Sequence, residues 1–141
     1  DDFAHHPTAI SGALKALRTR YAGRRLWAIL EPRSNTLRRK VFESELAESL
    51  TQADHVVLAG VFKSDSIPEA ERLDPANVIA RVNASGTPAR LLSTADDIVE
   101  AIAPELREGD VVAILSNGGF GGIYEKLPAR LNALREASAP A

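Results

Sequence analysis

The sequence predicts a three-layer, Rossmann-like α/β domain, with a mostly parallel sheet and helices on both of its faces. Short aliphatic runs without polar alternation occur at residues 26–30, 55–59, 89–92 and 111–115, as expected of strands covered on both sides. Segments with apolar residues at helical spacing lie between them, and regular strand–helix alternation implies a parallel sheet. A length of 141 residues suits one domain able to bury roughly two-thirds of its unfolded surface.

The first helix is expected after Pro7, a suitable first-turn residue. It places Ile10, Ala13, Leu14, Leu17 and Tyr21 on one face and stops at Gly23. After the strand at 26–30, a second helix is expected over residues 37–53, with Val41, Phe42, Leu46 and Leu50 inward. The strand at 55–59 leads to a third helix, which follows Asp74-Pro75, buries Val78, Ile79 and Val82, and ends at Gly86. After the strand at 89–92, the capping box Thr94-Ala95-Asp96-Asp97 opens a fourth helix that buries Ile98, Ala101 and Ile102 before Pro104. The strand at 111–115 precedes a last helix over residues 122–137, with an interruption expected near Pro128, which has no N–H to donate. Residues 137–141 read as a disordered tail, which leaves 1–136 as the domain.

Composition narrows the function. The net charge is −2, so no basic field suggests a nucleic-acid or anionic-membrane partner, and neither is expected. No apolar run approaches the roughly 20 residues that span a bilayer, and a cytoplasmic location is expected. The chain has no cysteine, which excludes disulfides, thiolate metal sites and a cysteine nucleophile. It has no methionine and opens on Asp1-Asp2, so it is expected to be part of a longer protein.

In parallel α/β sheets ligands bind at the carboxyl ends of strands. Three polar segments stand at such ends or just before a helix. Asp1-Asp2-Phe3-Ala4-His5-His6-Pro7-Thr8 offers carboxylates for sugar hydroxyls and imidazoles for a nucleotide. Composition alone favours a plain helix entry, in which His6 or Thr8 satisfies orphan N–H groups, over nucleotide contact, with a metal site third.

The second segment, Glu31-Pro32-Arg33-Ser34-Asn35-Thr36, lies in a basic stretch holding Arg24, Arg25, Arg33, Arg38, Arg39 and Lys40, with Glu31 as the one acid among residues 24–40. A forked guanidinium at a strand end suits a carboxylate or phosphate, which points to Arg33. Arg38, Arg39 and Lys40 also read as the solvated face of the following helix. The third segment, Ser116-Asn117-Gly118-Gly119-Phe120-Gly121-Gly122, allows close backbone approach to a ligand. It is no Walker A loop, since no Gly-Lys-Ser/Thr follows, and a structural turn with Phe120 tucked beneath it is an equal reading. His55, Trp27 and Phe62 read as structural, and Lys63, Asp65 and Lys126 as surface charges.

In this order, the three segments resemble the C-terminal domain of the Mur ligases over residues 1–136. The first looks like the motif that opens this domain in ligases acting on UDP-N-acetylmuramate. The UDP-N-acetylmuramate–L-alanine ligases carry an aromatic-Gln-Pro-His-Arg-Tyr-Thr-Arg type of second segment. Leu30-Glu31-Pro32-Arg33-Ser34-Asn35-Thr36 instead resembles the murein peptide ligase branch, as does Ser116-Asn117-Gly118-Gly119-Phe120 with Gly122-Ile123. Arg38-Arg39-Lys40 is more basic than that branch leads one to expect.

The resemblance implies an ATP- and Mg2+-dependent ligase joining the tripeptide L-alanyl-γ-D-glutamyl-meso-diaminopimelate to UDP-N-acetylmuramate through an acyl phosphate, in peptidoglycan recycling. It implies that N-terminal and central ATPase domains lie outside this chain, that the central domain holds the P-loop and most Mg2+ contacts, and that the C-terminal domain alone is inactive. Asp2 and His5 would contact ATP. Arg33, Ser34, Asn35, Thr36, Asn117, Gly118 and Gly119 would bind the tripeptide. No catalytic residue and no metal ligand is assigned to this domain. The alanine-adding ligase is the near alternative. A receiver-like regulatory module, suggested by the acidic pair near a parallel sheet, is a more distant one, and a metal-binding module a weaker one still.

Overall fold

The computed structural model describes residues 6–33, 37–60, 67–116 and 118–138. Among them, strands β1 (Leu26–Leu30), β2 (His55–Leu58), β3 (Ala89–Leu91) and β4 (Val111–Leu115) form one parallel sheet in the order β3-β2-β1-β4. Helices α1 (Pro7–Arg20), α2 (Glu43–Leu50), α3 (Pro75–Ala84), α4 (Ala95–Ile102) and α5 (Ile123–Ser138) cover it.

All five residues of β1 are buried, because successive side chains enter opposite layers. Leu26, Ala28 and Leu30 pack with Ile10 and Leu14 of α1, Leu46 and Leu50 of α2, and Val78 and Val82 of α3. Trp27 and Ile29 pack with Ile98 and Ile102 of α4 and with Ile123 and Leu127 of α5. This two-sided burial explains why the strand runs lack polar alternation.

Helix starts follow local chemistry. Asp74 caps α3 by accepting from the Ala76 N–H at 3.0 Å, with Pro75 in the first turn. Thr94 caps α4 by accepting from the Asp97 N–H at 3.1 Å. Replacing Thr94 with alanine removes that acceptor and should lower stability by about 1 kcal/mol, read from chemical denaturation at neutral pH.

Two expectations are corrected. The second helix does not begin at residue 37. Arg39 is extended and bridges Arg72, a single 3-10 turn spans Lys40–Phe42, and α2 starts only at Glu43. Val41 accordingly points outward, 78% exposed, because the 3-10 turn breaks the helical phase that would have turned it to the core. Pro128 does not interrupt α5, which runs unbroken to Ser138. One missing N–H, facing the carbonyl of Tyr124, is outweighed by burial of Ile123 and Leu127. The helix thus enters the segment read as tail, and residues 139–141 lie outside the described ones.

Buried polar side chains among the described residues are Glu43, Ser49 and Ser116. Glu43 joins two helix starts, since its carboxylate accepts from the Asp74 N–H at 2.7 Å and from the Asn77 amide at 2.6 Å. The Ser49 hydroxyl donates to the Pro7 carbonyl at 2.8 Å and so ties α2 to α1. Ser116 belongs to neither junction and stands immediately after β4. No described helix is long and apolar enough to cross a membrane.

Candidate functional site

The chain passes outward from β1 to β2 and β3, then crosses the sheet through α4 to place β4 on the other side of β1. Strand order therefore reverses between β1 and β4. The connections leaving these two strands go to opposite faces and open a crevice at their carboxyl ends, where ligands of open α/β sheets bind. The first residues past that reversal are Glu31 and Ser116.

Parallel pairing holds both in register, with Leu30 opposite Leu115 and the Glu31 N–H donating to the Leu115 carbonyl at 3.0 Å. The Ser116 hydroxyl donates to Glu31 Oε1 at 2.8 Å and accepts from the Gly118 N–H at 3.1 Å. Glu31 Oε1 also lies 3.8 Å from Arg33 Nη1. The Arg33 guanidinium covers Gly118 so closely that a Cβ there would overlap its Nε, Cδ and Cζ. Glycine is needed at 118 for that contact, not for a special backbone angle.

From Phe120 onward the glycine segment is structural. Phe120 has φ 46° and is 2% exposed, anchoring the loop in the α4–α5 layer. Gly121 follows at φ 56°, and a Cβ on it would come within 2.9 Å of Ala95 Cβ. The two readings of this segment thus divide along it: a close approach at Gly118 and a buried turn from Phe120 onward.

Of the residues predicted to bind substrate, Arg33 and Gly118 meet, and Gly119 follows them, exposed. Asp2, His5, Ser34, Asn35, Thr36 and Asn117 lie outside the described residues. His6, next to the proposed nucleotide motif, caps α1 by accepting from the Thr8 N–H at its Nδ1, at 3.0 Å. The helix-entry reading therefore holds for that residue. His6 meets Phe42 edge to face, with centroids 5.4 Å apart, while Arg18 at the far end of α1 pairs with Asp54 at the start of β2. His6, at the start of α1, therefore lies toward the carboxyl edge of the sheet, the same edge as Arg33. A groove of about 690 Å3 runs beside His6 between α1 and α2, lined by Lys15, Glu45, Glu48 and Gln52.

The basic stretch at 24–40 does not form one patch. Arg25 pairs with Asp110 at the amino end of the sheet, Arg24 lies over the Tyr21 ring, and Arg39 pairs with Glu71 at 3.2 Å. Sequence proximity misled here because a strand separates Arg25 from Arg33 by its full length.

Three residues at the crevice carry no assigned role in the sequence reading: Glu31 and Ser116, which head the second and third segments, and Tyr124, which is not named there. Glu31 and Ser116 immediately follow two apolar runs, a position whose meaning is readable once those strands are known to be neighbours. Tyr124, 46% exposed in the first turn of α5, has its phenol pKa raised by burial and then by the Glu31 carboxylate, so it stays a hydrogen-bond donor at neutral pH. Together these elements set a forked cation and a phenol at a crevice suited to a carboxylate-bearing ligand.

Residues 1–118 match the family model described as Mur ligase, glutamate ligase domain. The chain is 40% identical over 132 residues to the UDP-N-acetylmuramate–L-alanyl-gamma-D-glutamyl-meso-2,6-diaminoheptandioate ligase of Escherichia coli K12, covering 90% of this chain and 26% of that protein. It is 34% identical over 142 residues to the UDP-N-acetylmuramate–L-alanine ligase of Rhizobium etli, covering 99% of this chain and 29% of that protein. A murein peptide ligase from Psychrobacter arcticus 273-4 superposes with a TM-score of 0.76 at 36% identity, covering 100% of this chain and 28% of that one. The chain thus spans between a quarter and a third of the length of these relatives. It belongs to the Mur ligase family, as the C-terminal, glutamate ligase domain.

Proposed function

We propose that this domain serves an ATP-dependent ligase that joins the tripeptide L-alanyl-γ-D-glutamyl-meso-diaminopimelate to UDP-N-acetylmuramate, in peptidoglycan recycling. The observation that carries this reading is Arg33 at the switch point, laid over Gly118 with Glu31 Oε1 3.8 Å from its Nη1. A tripeptide bearing several carboxylates is a natural partner for a guanidinium held there, whereas alanine offers only one. Identity is also higher to the tripeptide ligase, 40%, than to the alanine ligase, 34%.

When bound, ATP supplies the phosphoryl group that activates the lactyl carboxylate of UDP-N-acetylmuramate. In this reading the P-loop and the Mg2+ ligands belong to the rest of the protein, and Asp2 and His5 contact the nucleotide. Arg33 captures a carboxylate of the incoming peptide and sets its amine toward the activated carbonyl. Ser34, Asn35 and Thr36 line the near side of the peptide pocket, and Asn117, Gly118 and Gly119 the far side. Closure of the domain over the site excludes water that would hydrolyse the acyl phosphate. The domain alone is inactive, because it holds only one wall of the site.

Phosphate release by the full-length protein, with UDP-N-acetylmuramate and ATP fixed, tests this. The tripeptide should be used with a kcat/KM about 100-fold above that of L-alanine. The opposite preference would make the protein an alanine-adding ligase, and turnover of neither amine would sink the ligase reading.

A further inference from the structure

Glu31 is given no substrate contact in the scheme above, yet its carboxylate faces both the arm from β1 and the loop from β4. Its Oε1 accepts from the Ser116 hydroxyl at 2.8 Å and sits 3.8 Å from Arg33 Nη1. Ser116 in turn accepts from the Gly118 N–H at 3.1 Å, and Gly118 is the residue over which Arg33 lies. The four residues close a ring: Glu31 to Arg33, Arg33 to Gly118, Gly118 to Ser116, and Ser116 back to Glu31.

The hydrogen positions follow from the donors. Gly118 must donate to Ser116, so the Ser116 hydroxyl directs its hydrogen at the carboxylate, and the chain of dipoles ends on a negative charge. Glu31 is a poor candidate for touching substrate directly. Its side chain is 13% exposed, against 30% for Arg33. Its backbone is also locked, since its N–H belongs to the β1–β4 pairing. A mostly buried carboxylate on a rigid strand end, bonded to one loop and facing the cation of another, orients those loops.

We propose that Glu31 is a positioning residue for the amine-substrate pocket. Its carboxylate holds the Arg33 guanidinium over Gly118 and anchors Ser116, so that the arm from β1 and the loop from β4 form one preformed carboxylate receptor. This rests on the assignment of Arg33 to the peptide. Without Glu31, Arg33 keeps its charge but loses the carboxylate that faces its Nη1, and a bound peptide must then fix more of a long side chain.

The test uses the full-length ligase with UDP-N-acetylmuramate, ATP and L-alanyl-γ-D-glutamyl-meso-2,6-diaminoheptanedioate as the varied amine. Glu31→Gln, which keeps an acceptor for Ser116 but removes the charge, should raise the peptide KM about tenfold with the ATP KM unchanged within about twofold. Glu31→Asp, which restores the charge, should recover part of that loss. Gly118→Ala, which displaces the guanidinium from the other side, should raise the same KM. In an Arg33→Ala background, Glu31→Gln should add less than about twofold, since a residue acting through Arg33 has nothing left to position.

If Arg33→Ala leaves the peptide KM unchanged, the assignment of Arg33 falls and this proposal with it. If Arg33→Ala raises the KM but Glu31→Gln does not, or if its effect multiplies in full onto Arg33→Ala, the positioning role is wrong and Arg33 stands. Should Glu31→Gln fail to fold, Glu31→Asp alone and in the Arg33→Ala background reads the same coupling, and a KM rise that persists without Arg33 would overturn the positioning role.

Discussion

Replacing Arg33 with alanine in the full-length ligase should raise the KM for the tripeptide about 100-fold, while the ATP KM stays within about twofold. The size follows from losing a forked, charge-assisted contact to carboxylate, worth roughly 3 kcal/mol, where each 1.4 kcal/mol is tenfold. Arg33 is 30% exposed and lies on a strand-end arm, not in either core layer, so thermal stability should hardly move. Arg33→Lys should recover little, because an ammonium keeps the charge but not the two parallel N–H groups. Initial-rate kinetics with each substrate varied in turn would read this. An unchanged tripeptide KM would remove Arg33 from the site, and equal rises in both KM values would indicate a general disturbance.

The largest stability effect is expected at the opposite edge of the sheet, where Asp110 is a hub. Its side chain is 7% exposed and pairs with Arg25 at 2.6 Å. It also accepts from Trp27 Nε1 at 3.0 Å and from the Arg107 N–H at 2.9 Å. Asp110→Ala leaves those donors without their acceptor and the Arg25 cation without its paired carboxylate, keeping only its bond to the Glu105 carbonyl at 2.9 Å and its place over Trp27. Arg25 keeps some contact with water, which moderates the loss, so about 3 kcal/mol is expected, or about 10 °C in melting temperature. Asp110→Asn should lose less, since the amide oxygen still accepts.

The acid limb of stability carries the same signature. Burial alone would raise the Asp110 pKa, but the hydrogen bonds from Arg25, the Arg107 N–H and Trp27 hold it below the ordinary carboxylate value. The unfolded chain therefore takes up this proton at a higher pH than the folded one. The stabilisation is complete above about pH 4 and fades as pH falls through the lower folded value. His55, stacked on Trp27 at 4.3 Å between centroids, has its pKa lowered by burial and then by the Arg25 charge. It favours the unfolded state once pH falls below about 6.5, so the wild type should lose stability in two stages. Denaturation curves from pH 7 to 3 should show the wild-type and Asp110→Ala stabilities converging below about pH 4. A constant gap would mean that the Asp110 charge contributes nothing.

Much of the architecture was legible without coordinates because its signals are local. Each strand run and each helix face declares itself within a few residues, and Asp74 and Thr94 mark starts that the structure places one residue later. The start of α2 was not legible. Leu37 through Phe42 has enough apolar residues to imitate a helix, and only the bridge from Arg39 to Arg72 draws that stretch out of helical phase. Arg33 and the glycine segment stood out by residue type and by position after apolar runs. Glu31 and Ser116 head the same two segments, but their pairing was not legible, since nothing in a lone acid and a lone serine shows that their strands are neighbours.

The sequence by itself determined the layers, the alternation of strand and helix, the family likeness and the two segments that meet at the crevice, because periodicity and motif are properties of neighbouring residues. Only the tertiary structure decided that β4 lies against β1. That choice brings Ser116 to Glu31 across a separation of 85 residues and sets Arg33 over Gly118. Strand order is fixed by which faces the helices can cover and by how the crossover through α4 closes, and no local pattern encodes either. The same physics carried Arg25 to the far edge of the sheet, so the candidate site has one guanidinium facing a mostly buried carboxylate in place of a basic patch.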